Sequence, residues 1–255
     1  MSKKITIIIA TYNASSTLKR CLDSILDQKT SDCELVIIDG DSSDSTIEII
    51  KSFGDEIDIF LSEPDNGIYD AWNKGINVSQ GKWIMFLGAD DQLFPNALSN
   101  YLHLLSSDKV VAEVDYICGR NELLDNDGNV LKVFGEPPNW NRLKKNMVAA
   151  HVASLHNKHL LFDKVGKFNT QYNICADYEL LLRKGRNLKF YFHPVKIAQM
   201  AAGGVSFSAK AIHETYQVRR DSKSLPFILN TFMLWVNLIA FYIFLARKKI
   251  MGYKL

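Results

Sequence analysis

The 255-residue chain lacks a charge excess, a paired-cysteine motif and a glycine-rich phosphate loop near its N-terminus, and each absence removes a class of protein. Thirty basic residues against 28 acidic ones leave a net charge of +2, too balanced for a nucleic-acid binder that must neutralise many phosphates. The four cysteines, Cys21, Cys33, Cys118 and Cys175, stand far apart with no CxxC pair. That excludes a zinc knuckle or redox motif and predicts reduced thiols. The apolar run from Ile5 to Ala10 is too short for the core of an export signal and leads into Thr11, Tyr12 and Asn13, so a cytoplasmic protein is expected. No repeat or low-complexity tract is evident, and with 47% apolar residues the chain has enough for a real core.

What is there is an alternation of short β-branched runs and helical periodicity. Ile5–Ala10 reads as a strand, followed by Leu18, Cys21, Leu22, Ile25 and Leu26 at helical spacing. Leu35–Ile38 reads as a second strand, followed by the polar loop Asp39–Ser45 and a helix through Ile47, Ile49 and Ile50. A third strand is expected within Ile57–Leu61, then a helix carrying Ile68, Ala71, Trp72, Gly75 and Ile76 on one face, then the continuous apolar strand Trp83–Leu87. This predicts an α/β fold with a Rossmann-like, mostly parallel central sheet flanked by helices. Ligands of such sheets sit beyond the carboxyl ends of the strands, so Thr11-Tyr12-Asn13, Asp39-Gly40-Asp41 and Asp90-Asp91 should converge on one cleft.

The second half is less regular. Glu122–Phe134 reads as a hairpin turning at Asp127-Gly128, a turn being favoured over a calcium loop because Val130 stands where that loop needs glycine. An extended stretch is expected from Pro137-Pro138 towards Lys144-Lys145. From Lys210 the tail carries a charge of +6 against −4 for the body, with a long apolar run over Leu225–Ala246 between basic flanks. Such a segment is long enough to span a bilayer, and equally fits a helix lying on anionic lipid or one packing on the body or on a second copy. The expected organisation is therefore a domain over 1–209, divided at 107/108, and a basic, apolar helical extension over 210–255.

Two adjacent carboxylates at the end of a buried strand, Asp90-Asp91, are costly unless something positive neutralises them. Magnesium or manganese, with substrate phosphates completing the shell, is the natural partner. The run Ile7–Asn13, then Glu34–Thr46, then Phe86–Asp91 resembles in order and spacing the family 2 glycosyltransferases. The stretch Ser62–Ile76 resembles a bacterial branch of that family that builds cell-surface polysaccharides. The resemblance implies the GT-A fold and inverting transfer of a sugar from a nucleotide-activated donor, with Mn2+ or Mg2+ as cofactor. It places Thr11 and Tyr12 in the nucleoside pocket, Asp39 against the base (commonly uracil), Asp90 against the ribose and Asp91 on the cation. Asp39 can accept from the imide N–H of uracil and Tyr12 can stack on its ring. Asp65 and Lys74 are further candidates for the donor site.

The general base of the family lies in a Glu-Asp pair opening a helix; here Asp177 keeps the second acid and Ala176 replaces the first. A base is needed because the attacking sugar hydroxyl must lose its proton, and a retaining route would require a second carboxylate as nucleophile. His151 is the candidate on the acceptor side. The resemblance thus implies transfer from a nucleoside-diphosphate sugar, a UDP-sugar foremost, to a saccharide acceptor, lipid-linked at the inner face of the cell membrane. The tail would supply contact with an anionic membrane surface or a homo-oligomer contact. A nucleotidyltransferase and a non-catalytic sugar-nucleotide-binding subunit are the competing readings.

Overall fold

The computed structural model describes residues 3–107, 113–125, 127–204 and 206–251. β1 (Ile5–Thr11), α1 (Leu18–Leu26), β2 (Cys33–Asp39), α2 (Thr46–Ser52), β3 (Ile59–Ser62), α3 (Ile68–Val78) and β4 (Trp83–Gly88) form the alternating first half. Then come β5 (Gln92–Leu93), α4 (Ala97–Ser107), β6 (Tyr116–Leu124), β7 (Val130–Phe134), α5 (Trp140–Leu143) and β8 (Leu155–Asn157). α6 (Asp163–Val165), α7 (Ala176–Lys184), β9 (Phe190–Ala201), α8 (Ala209–Asp221) and α9 (Phe227–Met251) complete the chain.

The strands form one sheet in the order β3-β2-β1-β4-β8-β6-β9-β5, with β7 paired to β6. The first four are parallel, as the alternation predicts, and the sheet turns mixed where β8 runs antiparallel to both β4 and β6. The period of two along each strand sorts the core into two layers. Ile5, Ile7 and Ile9 with Leu35, Ile37, Met85 and Leu87 face α1 and α4 on one side. Ile8, Val36, Ile38, Ile84 and Phe86 face α3 and α7 on the other. All four cysteines are buried and free.

β6 and β7 make the expected hairpin, and Asp125 accepts the backbone N–H groups of Asp127 and Asn129 at 3.0 and 2.8 Å, which is turn chemistry. The stretch after Pro137-Pro138 is not extended to its end. The Asn139 side chain accepts the Arg142 N–H at 3.1 Å and caps the single helical turn of α5. In the Gly203–Ser206 loop, Val205 lies outside the described residues.

The C-terminal helices form a hairpin. Asn230 of α9 donates to the Tyr216 carbonyl of α8 at 3.0 Å, Leu234 and Leu238 are buried, and Arg219 of α8 donates to the Lys145 carbonyl at 2.7 Å. The rest of α9 is open: Ile228, Phe232, Trp235, Ile239 and Tyr242 are exposed, and 11% of its most apolar window is buried.

α3 lies close on β1 because residue 75 is glycine. A Cβ there would stand 2.5 Å from Ile8 Cγ2, a branched atom in a fully buried layer with no room to yield. Gly75→Ala should therefore destabilise the fold by about 1–3 kcal/mol despite alanine's higher helix propensity, read as a lower urea midpoint at unchanged slope.

Candidate active site

A cleft of about 450 Å3 opens at the carboxyl ends of β1 and β4, lined among others by Thr11, Tyr12, Asn13, Asp65, Gly67 and Asp90. Its walls are loops locked by their own polar side chains. Asn13 and Asp41 adopt the left-handed backbone, φ 48° and 67°, which Asn and Asp tolerate. Asn13 binds Ser42 Oγ through its N–H at 2.8 Å and accepts the Ser43 N–H at 2.9 Å, so the loops after β1 and β2 move as one piece.

Beneath the cleft, Asp39 is fully buried. One carboxylate oxygen accepts the hydroxyls of Thr11 at 2.9 Å and Ser42 at 2.6 Å; the other accepts the Ser42 N–H at 2.9 Å and the Ser62 hydroxyl at 2.8 Å. Burial pushes its pKa up, but the donors from Ser42, Ser62 and Thr11 outweigh burial and hold it below the usual carboxylate range. Asp39 therefore does not present the free acceptor that the sequence reading expects, and Thr11, 3% exposed, has given its hydroxyl to it. Tyr12 stands at the mouth with 67% of its surface free. Asp65 is held by the Gly67 N–H at 2.8 Å and lies over Gly40, where a Cβ would come within 2.6 Å of its Oδ2. Lys74 is turned away from the cleft: its ammonium meets Glu63 at 2.9 Å and the Pro64 carbonyl at 2.8 Å, bracing the loop that carries Asp65.

Asp90 is exposed in the cleft, whereas Asp91 is 4% exposed and accepts the Gly88 N–H at 3.0 Å. A Cβ on residue 88 would lie 2.8 Å from an oxygen of each, so glycine is what lets both carboxylates fold over the strand end. Burial, reinforced by the charge of Asp90, pushes Asp91 up to about 8. A hard divalent cation would remove that penalty, and two carboxylates with room for phosphate oxygens suit Mn2+ or Mg2+. Among the described residues no group of three or more His, Cys, Asp or Glu side chains is gathered for a metal.

Asp177 lies in the first turn of α7. Its Oδ1 is 3.0 Å from the Tyr69 hydroxyl, which also donates to the Ile174 carbonyl at 2.7 Å, and its Oδ2 is 4.0 Å from His151 Nδ1. Burial pushes Asp177 up to about 6, against the Tyr178 N–H and the Tyr69 hydroxyl, which favour the charged form. α3 ties this carboxylate to the cleft, since Gly67 and Ile68 at its start line the cleft and Tyr69 follows them. His151 sits in an aromatic box with Trp72, Phe86 and His156, neither ring nitrogen hydrogen-bonded or reached by solvent. Burial lowers its pKa to about 3, so it is neutral, and it faces Asp177 rather than the cleft mouth.

Two residues of this site carry no signal of their own in the sequence. Tyr69 falls inside the Ser62–Ile76 stretch, but nothing local says that it reaches α7. Glu214 of α8 accepts the backbone N–H groups of Asn173, Ile174 and Cys175 at 2.7, 2.5 and 2.6 Å, supplying from another helix a carboxylate at the start of α7, where Ala176 stands. Glu214→Gln, which loses the charge and turns an NH2 towards those donors, should cost about 1.5–3 kcal/mol in urea unfolding.

The chain matches Glycosyl transferase family 2 over residues 6–165. It is 32% identical over 213 residues to a PGL/p-HBAD biosynthesis glycosyltransferase of Mycobacterium bovis, covering 79% of this chain and 78% of that one. It is 31% identical over 192 residues to the chondroitin synthase of Pasteurella multocida, covering 73% of this chain and 19% of that one. Among solved structures, S. aureus TarS 1-349 in complex with UDP-GlcNAc superposes with a TM-score of 0.70 at 14% identity, over 91% of this chain and 70% of that one. The mannosyltransferase PcManGT from Pyrobaculum calidifontis, in complex with GDP-Man and Mn2+, superposes with a TM-score of 0.64 at 16% identity, over 100% and 82%. The fold is GT-A with a C-terminal helical extension, and the chain belongs to glycosyl transferase family 2 and is a glycosyltransferase.

Proposed function

We propose that this enzyme is an inverting transferase that moves a sugar from a UDP-sugar to a hydroxyl of a lipid-linked saccharide, in bacterial surface glycoconjugate assembly at the inner face of the membrane. The observation that carries the reading is the junction made by α3, whose first turn lines a cleft holding Asp90 and whose Tyr69 binds the partly buried carboxylate of Asp177. Tyr12 offers a free ring for the nucleobase, and Asp65 a carboxylate beside it for the imide N–H. Asp39 and Thr11 support this wall from below, and Lys74 holds the loop of Asp65. Asp90 would meet the ribose.

Asp91, with Asp90 beside it, would hold Mn2+ or Mg2+, which when bound neutralises the diphosphate and stabilises the departing nucleotide. Asp177 takes the proton of the acceptor hydroxyl while that oxygen bonds to the anomeric carbon, and the bond to the diphosphate breaks with its electron pair leaving on the nucleotide. His151, neutral behind Asp177, keeps that side of the base free of a competing positive charge and acts on the acceptor through it.

UDP-, GDP- and dTDP-sugars, with and without manganese, separate the parts. Asp91→Ala should abolish manganese-dependent donor binding, whereas Asp177→Asn should bind donor normally and lose at least roughly 100-fold in turnover. Equal binding of all three nucleotides, or binding indifferent to Asp91, would overturn the donor assignment. The base must be ionised to accept a proton, so turnover should fall as pH drops through about 6, the value towards which burial pushes Asp177.

The exposed side of α9 carries Phe232, Trp235, Ile239 and Tyr242 with Leu229, Val236 and Ile243 beside them, a band wider than a two-helix seam would cover, and Arg220 and Arg247 flank the apolar run. Ile228→Glu with Ile239→Glu should reduce flotation with anionic phospholipid vesicles at least roughly ten-fold while leaving donor binding intact. A chain that floats unchanged would remove the membrane from the proposal.

A further inference from the structure

The Tyr69 phenol contacts two acceptors with one hydrogen. Its oxygen is 2.7 Å from the Ile174 carbonyl and 3.0 Å from Asp177 Oδ1. A carbonyl is an acceptor only, so both contacts are full two-centre hydrogen bonds at once only when Asp177 carries a proton and donates it to the phenol oxygen. When Asp177 is ionised, the single phenol hydrogen must serve one acceptor or the other. Neither the ring nor the carbonyl is free to relieve this. Tyr69 is 6% exposed and packs against Trp72 and Phe168 at centroid distances of 5.4 and 5.3 Å. Ile174 is pinned by the Glu214 carboxylate, which accepts the N–H groups of residues 173, 174 and 175. What remains mobile is the hydroxyl hydrogen.

We propose that Tyr69 is the positioning residue of the base, its hydroxyl hydrogen turning from Asp177 to the Ile174 carbonyl as Asp177 takes the acceptor's proton. In the ionised state Tyr69 donates to Oδ1 and leaves Oδ2 to face the acceptor hydroxyl. After transfer the proton sits on Oδ2; a half-turn of the carboxyl group about Cβ–Cγ presents it to the phenol oxygen while the phenol hydrogen turns to the Ile174 carbonyl, so the new carboxylic acid keeps a partner. No proton leaves Tyr69; one hydrogen bond reverses direction. The inference rests on Asp177 being the base.

Three other titratable groups near Asp177 are kept neutral by burial. His151, from the segment before β8, is kept neutral by burial. Cys175 on α7 is pushed up to about 12 by burial, and Tyr116 on β6 is raised well above its ordinary value for the same reason. The Glu214 carboxylate of α8 is committed to backbone N–H groups. Tyr69 is thus the neighbour whose removal should change the ionisation of Asp177 by losing a donor to its charged form.

The test is a carboxyl-carbon NMR titration of the full chain labelled at aspartate, with the Asp177 resonance identified by its loss in Asp177→Asn. Tyr69→Phe should raise the Asp177 pKa by about one unit, because the hydrogen bond it removes from the charged carboxylate is roughly twice as strong as the one it removes from the neutral acid. 3-Fluorotyrosine at position 69, a stronger donor of nearly the same shape, should move it the other way, and it serves alone if Tyr69→Phe does not fold. The acid limb of UDP release from UDP-GlcNAc, with water as acceptor, should move in step. An Asp177 pKa unchanged in both variants overturns the inference, because a merely structural Tyr69 would leave it in place. Undiminished UDP release by Asp177→Asn would instead show that the base reading had failed, whatever Tyr69 does to the titration.

Discussion

The buried carboxylate of Asp39 sets the level of the whole cleft. It sits at the end of β2, takes hydroxyls from Thr11 at the end of β1 and Ser62 at the end of β3, and closes the loop between them through Ser42. An isolated buried charge would be expensive, and an isolated set of strand ends would fray; four donors on one carboxylate answer both problems. With the strand ends pinned, the loops bearing Tyr12 and Asp65 have a rigid floor, and β4 next to β1 delivers Asp90 and Asp91 to the same height.

Three aspartates then show how environment divides one side chain into different roles. Asp39 is surrounded by donors and is held ionised. Asp91 is buried beside another carboxylate with one N–H for support, which favours its neutral form. Asp177 lies between these extremes, desolvated but offered the Tyr69 hydroxyl, and rests near the pH at which a carboxylate serves well as a base. The separation of ionisation states follows from the count of donors each position receives rather than from distance along the chain.

The C-terminal hairpin is joined to this machinery. α8 caps the start of α7 through Glu214 and grips the segment after α5 through Arg219, so the helix bearing Asp177 is tied to the helix leading to α9. α9 itself buries one narrow face on α8 and leaves its aromatic residues outside. Whatever covers that exposed side acts on a helix one step removed from Asp177.

Residues 5–91 were largely legible, because β-branched runs, helical periodicity and polar strand ends are local signals, and a parallel α/β sheet gathers its strand ends by construction. The polar motifs at the ends of β1, β2 and β4 were legible for the same reason. Residues 137–145 misled because a single Asn139 cap overrode the extended tendency of two prolines. By itself the sequence determined which elements form over residues 5–91 and that the ends of β1 and β4 open on a cleft. Only the tertiary structure decided that Asp39 is saturated, that Lys74 turns to Glu63, that His151 is sealed behind Asp177, and that Tyr69 and Glu214 meet the start of α7 across separations of 108 and 40 residues. Those outcomes turn on which donors arrive from distant elements, and no local pattern encodes the partners that packing will bring.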